Sequence, residues 1–116
     1  MSSKVEHLFS RSLDDLYEEL GRSLISPEFP ATASITKQNA VQRGKSFVSS
    51  SLEKLRRKIC VDWRYCGKRG GYGDFQSLAY AVAPLVSSVL GVPATTAMIV
   101  AIILIKSSLD KLCNCP

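Results

Sequence analysis

At 116 residues the chain can bury one hydrophobic core, and its size excludes two separate ones. Apolar residues make up 46% and charged residues 22%, which excludes both a disordered tail and a polytopic membrane protein as descriptions of the whole chain. The net charge of +5 is unevenly spread: Lys54, Arg56, Arg57, Lys58, Arg64, Lys68 and Arg69 share one stretch with only Glu53 and Asp62, a bias suited to phosphate, an acidic partner or an anionic membrane surface.

The opening MSSKVEHLF lacks a basic region followed by an apolar core and a small-residue cleavage site, so it does not read as a secretory leader. The expectation is a cytoplasmic chain, with membrane association left open, whose Cys60, Cys66, Cys113 and Cys115 are reduced thiols. Residues 4–25 form the first expected helix. Val5, Leu8, Phe9, Leu13, Leu16, Tyr17, Leu20 and Leu24 recur every three or four positions, opposite Asp14, Asp15, Glu18, Glu19 and Arg22. The lone His7 reads as a surface imidazole and the neighbouring carboxylates as a solvated face, not as acid–base pairs.

Pro27 and Pro30 make 26–34 a linker, with Phe29 expected to pack back on the core. A second helix is expected over 36–60, its stripe running through Ala40, Val41, Phe47, Val48, Leu52, Leu55 and Ile59. Gly44 and the serines at 49–51 weaken its intrinsic propensity, so packing must hold it. The segment 61–74 has four glycines and no periodicity, and reads as a mobile, basic loop. Within it Trp63, Tyr65 and Tyr72 alternate with Arg64, Lys68 and Arg69, a pattern that can stack on bases and hold phosphates or can lie against anionic headgroups. Arg56, Arg57, Lys58, Trp63, Arg64, Lys68, Arg69 and Tyr72 are therefore the candidate contacts for a charged partner.

The tail 75–112 is expected to be an apolar helical hairpin. Asp74 caps its first helix, Pro84 strains the middle, and Gly91 and Pro93 separate it from the second. The uncharged run 78–105 raises the question of a membrane. Each helical piece alone is about 20 Å long, short of the roughly 30 Å of a bilayer core, whereas one helix through Gly91 and Pro93 would suffice. The leading expectation is burial, with the helix containing Met98 enclosed by the other three. Leu78, Val82, Leu85, Val89, Met98, Ile102, Ile105 and Leu109 are the candidate core or subunit contacts.

No chemistry-bearing constellation accompanies this pattern. The cysteine spacing lacks the two-residue gap of a zinc knuckle, Gly-Lys-Arg-Gly-Gly lacks the ending of a phosphate-binding loop, and Cys113 sits in a poor prenylation box. The sequence predicts an all-α bundle of about four helices, a single domain over 1–116, with no enzyme activity, cofactor, metal or small-molecule substrate. Its expected role is an interaction module or small subunit that self-associates or binds a protein. The alternatives are a membrane-inserting effector, pore or holin-like, using 78–105, and more weakly a nucleic-acid binder using 63–75.

Overall fold

The helix starts are written in short polar side chains. In the computed structural model, which describes residues 7–24 and 36–115, Ser12 caps α1 (Leu13–Ser23), its Oγ accepting from the Asp15 N–H at 3.1 Å. Thr36 caps α2 (Lys37–Arg56) in the same way, Oγ1 to the Asn39 N–H at 3.1 Å. Asp74 caps α4 (Phe75–Leu90), its carboxylate accepting from Ser77 at 2.7 Å, and that bond holds the carboxyl below its ordinary pKa. Residues 4–6 and 25 of the first expected helix, and the linker at 26–34 with Phe29, lie outside the described residues.

The first helix does not run through as expected. A 3₁₀ turn (His7–Ser10) precedes α1, because Ser12 is a better cap than helix interior, and Leu8 and Phe9 still reach the core from that turn. His7 itself is exposed.

Helices α1 and α2 cross unusually closely at two glycines. A Cβ on Gly21 would lie 1.9 Å from the Ala40 carbonyl oxygen, and one on Gly44 would lie 2.2 Å from that of Tyr17. Only hydrogen fits at either point, so Gly44, a defect by helix propensity, is what lets the two backbones touch. Around the crossing Leu16, Leu20, Ala40 and Val48 are buried.

The tail folds as the expected hairpin. Gly91 adopts φ 67°, its N–H donating to the Ser87 carbonyl at 2.9 Å, and α5 (Ala94–Ser107) departs from α4 at 116°. Helix α4 continues unbroken across Pro84, which stands on the exposed face where water can satisfy the carbonyl it frees. Every residue from 96 to 104 is buried, with α1, α4 and the 3₁₀ turn packed around α5. Among the described residues no single helix is long and apolar enough to cross a membrane, and α4 with α5 meets that measure only as the bent pair. Val82, Met98, Ile102 and Leu109 are buried in the core and Leu78, Leu85 and Ile105 pack half-buried against it, while Val89 is half-buried. The architecture is all-α, four principal helices with an apolar hairpin at the end, and no strand occurs among the described residues.

Two boundaries depart from expectation. The last helix breaks at Ser108, φ 90°, whose Oγ caps a short α6 (Leu109–Leu112) through the Lys111 N–H. The supposed mobile loop is ordered: α2 passes into a π-helical turn (Arg57–Asp62), then α3 (Tyr65–Lys68) and a 3₁₀ turn (Arg69–Gly71). The reason lies in the cysteines.

Candidate anion-binding surface

Helix α6 returns the chain end to the π-turn and α3. Cys60 meets Cys113 and Cys66 meets Cys115, with Cα–Cα separations of 5.2 and 5.4 Å, and both pairs are disulfides. The expectation of reduced thiols is corrected here. Cys60 and Cys66 lie six residues apart across a reversal of the chain, and their partners come from a tail 53 and 49 residues away, a proximity that only the return of α6 creates.

A polar lock reinforces the sulfur one. The Tyr65 hydroxyl donates to Asp110 at 2.8 Å, and Arg69 pairs with the same carboxylate at 3.0 Å. These two partners hold the Asp110 carboxyl below its ordinary range, while burial and the Asp110 bond push the Tyr65 phenol up to about 12. Tyr65 is buried, so the lock faces the core on one side and water on the other.

The eight residues expected to meet a charged partner then divide. Arg69 is bound to Asp110, and Arg56 forms a two-point contact with Glu53. Trp63 and Tyr72 pack on each other at 5.8 Å between ring centres, and the Lys68 ammonium stands 5.5 Å from the Trp63 ring. Trp63 also packs against the core, so the ring best placed to stack on a base already has neighbours. Arg57, Arg64 and Lys68 are exposed and Lys58 is half-exposed. Among the described residues no carboxylate lies within salt-bridge distance of these four.

Two features of this surface have no signal in the residue pattern. Val61, on the π-turn with Arg57 and Lys58, is a large apolar side chain that is 56% exposed. Arg64 holds φ 62°, ψ 56°, the left-handed region, as the pivot from the π-turn to α3. A non-glycine residue there carries a cost of about 1 kcal/mol that glycine would avoid.

Elsewhere the acidic face of α1 is internally paired, Asp15 with Lys37 at 3.1 Å, Glu18 with Arg22 at 2.9 Å and Glu19 with Arg11 at 3.3 Å. An open apolar groove of about 640 Å³ runs between α4 and α5, floored by Ala83 and Met98 and rimmed by Tyr80, Pro84, Ser88 and Thr95. Comparison with known proteins finds no matching family model, no curated relative and no similar solved structure.

Proposed function

We propose that the chain is a non-enzymatic helical binding module whose working surface is the disulfide-pinned basic platform at 57–72, and whose partner is anionic. One observation carries the reading: Arg57, Lys58, Arg64 and Lys68 stand without carboxylate partners on backbone held by two cross-links and the Tyr65–Asp110–Arg69 lock. Cations spread over mobile chain lose entropy when a partner orders them, and cations on a fixed platform lose far less. The Glu53–Arg56 and Asp110–Arg69 pairs neutralise themselves and the exposed Lys54 and Asp62 are opposite in sign, so the net positive charge of the platform is that of those four side chains.

The test compares two doubly substituted proteins of equal net charge on a heparin column. Arg64→Ala with Lys68→Ala should elute at clearly lower salt than the parent, and Arg43→Ala with Lys45→Ala, on exposed α2, should elute close to it. Equal shifts for the two variants would mean that overall charge, not the platform, governs retention.

Self-association is a second reading, favoured by the groove between α4 and α5, where Tyr80 is 44% exposed beside exposed Pro84 and Ala94. A dilution series in sedimentation velocity should show a dimer that Tyr80→Glu and Ala94→Glu abolish. A monomer at every concentration removes this reading.

A further inference from the structure

The platform carries an apolar element that an anion-binding patch does not need. Val61 is exposed on the same π-turn as Arg57 and Lys58, three residues before Arg64, and the tryptophan beside it, Trp63, is the chain's only one. An exposed apolar side chain that shares a turn with Arg57 and Lys58, and with the single exposed carboxylate of Asp62, suits a boundary between water and hydrocarbon. Arginine and lysine stems can lie along lipid while their charges stay with the headgroups.

From this we infer that the platform docks on the surface of an anionic phospholipid bilayer, Val61 entering the headgroup–acyl boundary and Arg57, Lys58, Arg64 and Lys68 holding lipid phosphates. The inference rests on the binding-module reading and names its partner. Charge complementarity supplies the attraction, each cation near such a surface raising the partition coefficient about fivefold. Single-stranded nucleic acid fits less well, because base stacking needs a free ring face and Trp63 is already enclosed by Tyr72, Lys68 and the core. Arg64 adds a separate argument. Its left-handed backbone would cost least with glycine, yet the position presents an exposed guanidinium three residues after Val61.

The experiment mixes the oxidised 116-residue chain with phosphatidylglycerol-rich vesicles and, in parallel, with pure phosphatidylcholine vesicles. Binding is read by co-sedimentation and by the shift of Trp63 emission to shorter wavelength. The inference expects salt-sensitive binding to the anionic vesicles only, more than a hundredfold weaker once the four cations are alanine. Val61→Ser should weaken vesicle binding about five- to tenfold while leaving heparin elution unmoved, because only a bilayer offers hydrocarbon. Circular dichroism establishes that each variant keeps the parent's helix content. Heparin retention without vesicle binding overturns the inference and leaves the anionic-partner reading standing. Loss of both overturns both. Tighter binding to a single-stranded oligonucleotide than to anionic vesicles, indifferent to Val61→Ser, overturns the inference in favour of a nucleic-acid partner.

Discussion

Replacing Gly21 or Gly44 by alanine sets two physical effects against each other with opposite signs. Intrinsic propensity favours alanine inside a helix by about 1 kcal/mol, so a chain judged helix by helix should be stabilised at both positions. The tertiary structure predicts the reverse. The added methyl of Gly21→Ala would sit 1.9 Å from the Ala40 carbonyl oxygen, 2.8 Å from its carbon and 3.1 Å from its Cα, and the Gly44→Ala methyl meets Tyr17 at 2.2, 3.0 and 3.2 Å. All of these are backbone atoms, so no side chain can swing away and the helices must separate by an ångström or more. Gaps of that size forfeit a quarter to a half of each contact's attraction across the crossing, and overpacking of this kind costs about 1–3 kcal/mol or more. After the propensity gain, a net loss of about 2 kcal/mol is expected for each variant, or roughly 8 °C in Tm for a domain of this size. Thermal melts of the oxidised protein by circular dichroism measure it. Gly67→Ala and Gly70→Ala, whose methyls meet nothing within 4 Å, serve as controls and should leave Tm within about 2 °C. The double variant should cost less than the sum, because separation forced at one crossing point relieves the other. A rise in Tm for Gly44→Ala would refute the close crossing and with it the packing of α1 on α2.

Four further outcomes follow from the platform. Removing either link alone, by Cys113→Ser or by Cys115→Ser, should cost about 2–3 kcal/mol of unfolding free energy, less than the roughly 4 kcal/mol loop-closure value for an isolated link over 53 or 49 residues, because the loops 60–113 and 66–115 overlap and the remaining link already closes most of either; guanidinium titrations read both, and clearly unequal costs would contradict the overlapping loops. Asp110→Asn should destabilise near neutrality but not in acid: the folded carboxyl titrates below the ordinary 3.8, so its contribution is present above that value and vanishes as pH falls through the folded one, making the two melting curves converge. At the alkaline end the raised phenol works in the other direction, with the contribution of Tyr65 present below 10.0 and lost as pH climbs toward about 12, a decline that Tyr65→Phe should not show. Arg64→Gly should raise unfolding free energy by about 1 kcal/mol by relieving the left-handed backbone, while Arg64→Ala leaves it nearly unchanged, and equal effects would place Arg64 outside that region.

Much of the helical layout was legible before any coordinates. Apolar spacing placed α1, α2 and α4, and the caps Asp74 and Gly91 stand where the pattern puts them, because local hydrogen bonding and backbone strain decide such positions without reference to the rest of the chain. The uncharged run 78–105 pointed to burial of the helix containing Met98, and residues 96–104 of α5 are buried. The candidate surface was only half legible. Its cations were visible as a cluster, but their availability depends on which of them find carboxylates, and Asp110, which takes Arg69, lies 41 residues further along the chain.

The sequence by itself determined what depends on neighbours within about one helical turn: helix existence, caps, the hairpin break and the sign of the charged stretch. The tertiary structure alone decided what depends on distant backbone meeting backbone. It converted four spaced cysteines into two cross-links, folded a glycine-rich segment into short helical turns, made Gly21 and Gly44 the points where two backbones touch, and left Val61 exposed to water. The physical reason is common to all four: a residue pattern records a side chain's preference for its own helix, and carries no term for the part of the chain that will be brought against it.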